Sequence, residues 1–261
     1  MKYLALSFDD GFSNFLENAY PILKQYCLTA TINIVTGFSD QTIYNEWPRL
    51  SPEDILFLNR EGFEIAMHSN SHLHEETVDD FVLCYKKLSH WIGTQPTGVC
   101  MPYNQMPTDV LFSFFRSIGV PYVALGNIGS PLKNSRTNLY RVFRKFAKTN
   151  RFDFVIKHFR SAISSNKSAG VTLVGRVPIL RDVAPDDYLK LLDLHNNGSA
   201  LVLMFHSIIK HSDDPCCYRE GAWTVKQFDT FVNRICSKKG IKVINTNDLL
   251  DLVHRHAKNF S

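Results

Sequence analysis

Long apolar runs are missing from this sequence. The longest candidate, Ala200 to Phe205, falls far short of the ~20 residues that a bilayer span requires, so no membrane span is expected. No charged-then-apolar leader opens the chain; Met1 to Phe8 reads directly as a strand, which makes a soluble, cytoplasmic protein the expectation. Runs of five like charges and basic stripes are absent as well. The 29 basic and 25 acidic residues interleave to a net charge of +4, too mild to expect a nucleic-acid partner. None of the cysteines (Cys27, Cys84, Cys100, Cys216, Cys217, Cys236) forms a CxxC pair, and neighbouring Cys216 and Cys217 are poorly placed to bridge each other. A chain of 261 residues does not need staples, so free thiols are expected. Internal repeats, low-complexity segments and a clear linker are lacking too. That leaves a single domain over 1–261, with the irregular Arg-, Lys-, Asn- and Ser-rich stretch at about 130–169 as an insertion.

What is present is alternation. Short β-rich runs occur at Lys2–Phe8, Thr29–Val35, Phe63–Met67, Thr97–Met101, Pro121–Leu125, Val171–Val174, Ala200–Phe205 and Ile241–Ile244. Segments with helical spacing lie between them. One opens at Ser51 as cap, with Pro52 in the first position and Glu53 and Asp54 favouring the helix dipole, and Arg60-Glu-Gly62 stops it. Asp186–Leu194 and Thr224–Cys236 read likewise as amphipathic helices. Strand-then-helix order implies parallel strands, because these need crossover connections. About eight such units predict an α/β fold, a closed or nearly closed (β/α) barrel.

The unusual polar residues then fall at strand ends. Ser7-Phe-Asp-Asp-Gly11 ends the first strand, His68-Ser-Asn-Ser-His72 follows the third, Met101-Pro-Tyr103 the fourth, and His206 the seventh. The carboxyl ends of barrel strands share one rim, where barrel active sites lie. Asp9 and Asp10 diverge in extended chain, but a turn at Gly11 lets them split duties, one on a metal and one as a base. His68 and His72 are close enough in sequence to grip one ion. One carboxylate with two imidazoles is a zinc-type set that leaves a position open for water. His206 is placed to donate a proton to a leaving group.

These segments carry a family resemblance. Ser7 to Gly11 resembles the T/S-F-D-D-G motif of the polysaccharide deacetylases (NodB-like, carbohydrate esterase family 4). Gly62 to His72 resembles that family's G-[FY]-E-I-[AG]-x-H-[ST]-x-[ST]-H motif, and Leu201 to His206 its late apolar strand ending in histidine. Ala222-Trp223 to Phe228 and Gly240 to Ile244 are similar to its closing helix and strand. The resemblance implies a distorted parallel barrel of the NodB-like type. It implies Asp9 as general base, Asp10, His68 and His72 as ligands of a divalent metal, most simply Zn2+, and His206 as general acid. The backbone N–H of Tyr103, after Pro102, would help hold the oxyanion. The implied reaction is removal of acetyl groups from N-acetylated sugars, by metal-activated water, with a carbohydrate as the substrate partner.

Two departures stand out. Cys100 occupies the place of the arginine that, in the family, pairs with the base, which leaves Asp9 without a cation favouring its charged form. No fourth motif with Asp and Trp occurs near Pro121–Ser130. Two alternatives therefore stand beside the deacetylase: a cyclic amide or imide hydrolase on the same fold, and a catalytically silent glycan-binding module. Tyr44, Trp47, Tyr103 and Trp223 are open to either sugar stacking or packing. The oligomeric state has no signature in the sequence.

Overall fold

The computed structural model describes residues 1–37, 47–126, 167–168, 171–193, 200–215 and 221–258. In chain order its strands are β1 (Lys2–Phe8), β2 (Thr31–Ile34), β3 (Glu64–Met67), β4 (Val99–Cys100), β5 (Tyr122–Gly126), β6 (Lys167–Ser168), β7 (Val171–Pro178), β8 (Ala200–Phe205), β9 (Ile208–Ile209), β10 (Trp223–Thr224) and β11 (Ile241–Val243). The helices are α1 (Tyr20–Gln25), which continues a π-helical turn at Phe15–Ala19, then α2 (Pro52–Arg60), α3 (Val78–Ile92), α4 (Asp109–Ser117), α5 (Pro185–Asp193), α6 (Val225–Ser237) and α7 (Thr246–Lys258).

Seven parallel strands close a ring in the order β1-β2-β3-β4-β5-β7-β8, with β8 returning to β1 along six paired positions. The expected eighth strand, β11, is not a full member of that ring. It lies against Lys2–Leu4 of β1, while β2 pairs only with Ser7 and Phe8. β1 has seven residues and β2 four, so β2 leaves the lower half of that edge free, and β11 occupies it. This shared edge is the distortion of the barrel. The insertion at 130–169 lies outside the described residues except for Lys167–Ser168, which adds an antiparallel pair to β7.

Strand alternation sorts the side chains. Leu4, Leu6 and Phe8 of β1 face outward into the main core beneath the helices, whereas Ala5 belongs to a smaller set with Cys100, Ala124, Val174 and Val202. That smaller set is the barrel interior, closed below by Ile244, Leu249 and Leu250 at α7. The Ser51 cap forms as the sequence predicts: Asp54 N donates to Ser51 Oγ at 3.1 Å and Ser51 N to Asp54 Oδ2 at 2.9 Å. Thr224 caps α6 in the same manner.

The motif glutamate, Glu64, is a plug for the bottom of the barrel. Its buried carboxylate accepts from Thr31 Oγ1 (2.6 Å), Tyr122 Oη (2.7 Å), Thr97 Oγ1 (2.8 Å) and the backbone N–H of Asn247 (3.1 Å). The last of these lies in the first turn of α7, where an anion is favoured. Glu64 thereby ties β2, β5, the approach to β4 and the C-terminal helix together.

Candidate active site

At the opposite rim the chain leaves β1 in a strained turn. Asp10 has φ 74° and Gly11 φ 65°, and only the second is relaxed at such a value. The turn is held from the side: Leu50 N donates to Gly11 O (2.8 Å), Ser13 N to Pro48 O (2.9 Å), and Arg49 donates to the Asp10 carbonyl while its guanidinium lies 4.3 Å over the Phe12 ring. Ser69, His72, Tyr103 and Asn104 also have positive φ. Among the described non-glycine residues only Cys27 shares this trait away from the site. Such conformations cost roughly 1–3 kcal/mol each and persist where surrounding structure enforces them.

The enforcement is visible at the histidine loop. Asp80, at the start of α3, accepts from Asn70 N (2.7 Å), Ser71 N (3.3 Å) and Ser71 Oγ (2.6 Å), and Ser69 Oγ accepts from His72 N (2.9 Å). His68 and His72 thereby converge on Asp10, whose Oδ1 lies 3.4 Å from Nε2 of His68 and 3.2 Å from Nε2 of His72. All three are buried, and their ligand-type atoms lie within 4.8 Å of one another. His68 Nδ1 lies 2.9 Å from the Cys100 carbonyl, which keeps a proton on Nδ1 and turns Nε2 toward Asp10. Burial draws His72 down to about 4, so its imidazole is neutral, as a ligand must be. Burial would raise the Asp10 carboxyl, but His68, His72 and His206 outweigh it and hold it well below the ordinary range. The donor set therefore suits a divalent cation.

A second grouping, Asp9 with His68 and Cys100, also brings ligand-type atoms within 4.8 Å. It does not suit a cation. His68 turns its Nδ1 to the Cys100 carbonyl, both Asp9 oxygens are engaged elsewhere, and burial pushes the Cys100 thiol up.

The expectation that Asp9 has no cationic partner is corrected by Arg176. From β7 its guanidinium meets Asp9 in a two-pronged pair, Nη1 to Oδ1 at 2.6 Å and Nη2 to Oδ2 at 2.9 Å. Arg176 is 1% exposed and Asp9 4%. Asn33 Nδ2 donates to Asp9 Oδ1 at 2.6 Å and to Ser7 Oγ at 2.8 Å; Arg176 also reaches Ser7 Oγ (3.2 Å) and Asn104 Oδ1 (3.3 Å). Burial would raise the Asp9 carboxyl, but Arg176, followed by His68 and His206, overcomes it and the net shift is downward. Asp9 is a carboxylate at neutral pH. The signal in the sequence was a lone arginine in an apolar run, Val171 to Pro178. Ending the strand at Val174 placed Arg176 outside it; the strand continues through Gly175 and Arg176 to Pro178.

The remaining predicted residues gather here as well. Asp9 N donates to Phe205 O at 2.9 Å, which joins the ends of β1 and β8 and sets His206 beside the aspartates. Burial lowers the His206 pKa despite the pull of Asp10 and Asp9. Pro102 is buried and starts a single 3-10 turn in which Tyr103 has φ 51°. The Tyr103 ring lies 4.7 Å from His72 and stacks on His74 at 3.7 Å. Of the aromatic residues considered for stacking, Trp223 is core: it is fully buried, donates from its indole to Leu180 O (3.1 Å) and packs on Phe205 and Tyr188. Tyr44 lies outside the described residues, as do Cys216 and Cys217, whereas Cys27, Cys84, Cys100 and Cys236 are free thiols. No helix among the described residues is long and apolar enough to cross a membrane.

A parallel barrel with a buried Asp/His cluster on its carboxyl rim is the class that fold and site define. A model of the polysaccharide deacetylase family matches residues 1–123. The fold is shared with peptidoglycan deacetylase PdaC from Bacillus subtilis (18% identity, TM-score 0.51, covering 99% of this chain and 95% of that one). It is shared too with a family 4 acetyl xylan esterase from Clostridium thermocellum in complex with a cobalt ion (15%, 0.52, 96% and 91%). A third is the Xyl-CE4 domain of a multidomain xylanase from the hindgut metagenome of Trinervitermes trinervoides (14%, 0.52, 96% and 90%). No curated protein matches in sequence. The match to the polysaccharide deacetylase family covers those first 123 residues, just under half of the chain, and the fold agrees with it over nearly the whole length.

Proposed function

We propose that the protein is a metal-dependent hydrolase that removes acetyl groups from N-acetylated sugars. One observation carries this reading: two adjacent aspartates are parted by the turn at Asp10, one facing two imidazoles and the other facing a guanidinium. Asp10, His68 and His72 would hold a divalent cation, with zinc the assignment that one carboxylate and two imidazoles favour. Bound there, the cation supplies Lewis acidity toward an acyl oxygen and acidifies water.

The chain's own residues do the rest. Asp9, kept ionised by Arg176, accepts the proton of the attacking water at a carboxylate oxygen. The Tyr103 backbone N–H, at the turn after Pro102, faces the charge that develops on the acyl oxygen. His206 passes a proton to the departing amine nitrogen. The Tyr103 and His74 rings, stacked at 3.7 Å, offer an apolar face to a sugar beside the site. Absence of an arginine at position 100 was the ground for a silent glycan-binding module, and Arg176 removes that ground. The reading agrees with the deacetylases and the esterase that share the fold.

The test is acetate release from N-acetylglucosamine oligomers by zinc-loaded protein. Release that stops with chelator and falls at least about a hundredfold in His206→Ala is expected for a general acid. Release that persists in His68→Ala, or no release from any N- or O-acetylated glycan, would overturn it.

A further inference from the structure

We propose that Arg176 is a positioning residue that sorts the two aspartates, holding Asp9 off the cation so that it stays a base, and that Cys100 is the small residue that makes room for it. The proposal rests on the reading of Asp10, His68 and His72 as cation ligands. Asp9 and Asp10 are neighbours in the chain, and both are buried at the same rim. A cation held at Asp10 attracts both carboxylates, and a carboxylate drawn into its coordination no longer accepts a proton from water. Something must oppose that attraction.

Arg176 is built for it. Its two prongs take one hydrogen bond on each Asp9 oxygen, and Asn33 takes a second on Oδ1. A lysine would supply the charge but not the planar fork. The guanidinium is in turn fixed through Ser7 and Asn104. Asn104 belongs to the turn that carries Tyr103, so the same arginine links the base to the proposed oxyanion donor. Gly126, at the end of β5, permits the approach: a Cβ there would stand 2.5–2.8 Å from the Asn104 side chain.

Cys100 completes the arrangement. Its Sγ lies 3.7 Å from Asp9 Oδ1 in the barrel interior, fully buried. A large side chain at that place would contest the space beside Asp9 that the guanidinium needs. The cation for the base thus comes from β7, two strands along the ring from β4, and the small residue and the arginine belong together.

Three proteins test this: Arg176→Met, Asp9→Asn, and the double variant. The visible absorption of the cobalt-loaded protein reads coordination without reference to activity. In Arg176→Met it should change as Asp9 joins the cation, while Asp9→Asn and the double variant should retain the native spectrum. On an acetylated sugar, Arg176→Met should lower kcat at least about tenfold with KM within about twofold, in line with loss of orientation rather than binding. Adding it to Asp9→Asn should cost no more than about twofold further, because its effect passes through Asp9. If Arg176→Met does not fold, Arg176→Lys serves, with a smaller spectral change in the same direction. An unchanged cobalt spectrum in whichever Arg176 variant folds, or full additivity of the two substitutions, would overturn the proposal. Absence of deacetylase activity in the native protein would overturn the functional reading alone, since the spectrum still reports whether Arg176 keeps Asp9 away.

Discussion

Replacing Glu64 should unfold the barrel from below without touching the chemistry above. Four donors converge on its carboxylate, three hydroxyls and one helix N–H. Glu64→Ala takes that acceptor from all four in a buried place and adds a cavity, although Thr97 Oγ1 keeps Ile65 O (3.3 Å) and Thr31 Oγ1 keeps Thr246 Oγ1 (2.8 Å). At roughly 1–3 kcal/mol for each orphaned donor, reduced by rotation of the hydroxyls toward other partners, the expected loss is about 3–5 kcal/mol. Glu64→Gln is milder. Its amide oxygen can face Thr31 and the Asn247 N–H, and its NH2 can donate to Tyr122 and Thr97, whose hydroxyls also accept. Only the charge assistance is lost, about 1–3 kcal/mol. Urea melts of metal-free protein give both numbers, and hydrogen exchange should show the first turn of α7 opening before the ring strands. The fraction still folded should bind metal as the native chain does. A loss under about 1 kcal/mol in Glu64→Ala, or metal binding lost in folded protein, would refute the view that Glu64 is architectural.

Three further outcomes follow from the site. Cys100→Ala should keep kcat within about threefold and alkylating reagents should leave deacetylation unaffected, because burial pushes the thiol up beside the proposed base, which does not need it. The pH profile of kcat/KM should have its acid limb below the ordinary carboxylate value of 3.8, from Asp9, and its basic limb below the ordinary imidazole value of 6.5, from His206. Loss of the basic limb in His206→Ala checks the assignment. Glu76 is raised to about 8 by burial and the nearby Asp80 carboxylate. The folded state therefore holds a proton that the unfolded state has released, so stability should fall as pH rises from its ordinary 4.5 through about 8. Metal-free Glu76→Gln should lose that slope in thermal melts, and an unchanged slope would sink the claim.

The strand ends were legible because each carried chemistry that apolar strands do not need: paired carboxylates after Phe8, two histidines after Met67, one after Phe205. β1 also showed its two faces, with Leu4, Leu6 and Phe8 outward and Ala5 inward. Arg176 was hidden by a boundary. A glycine followed by an arginine reads as the end of a strand, yet a barrel interior near its rim is polar enough to keep a charge paired with Asp9. Cys100 gave no hint of the substitute, because the arginine enters from a strand far along the chain and no local pattern connects the two. The place of β11 was equally out of reach. Which edge a short strand takes depends on how much of β1 the four-residue β2 leaves uncovered, a property of the pair rather than of either segment.

The central claim is that Asp10, His68 and His72 hold one divalent cation while their neighbour Asp9 does not. Metal content after zinc loading and desalting, in the native chain, His68→Ala and Asp9→Asn, tests it most directly. The account predicts about one equivalent in the native protein, none in His68→Ala and about one in Asp9→Asn. No metal in the native chain, or its loss in Asp9→Asn as in His68→Ala, would contradict it.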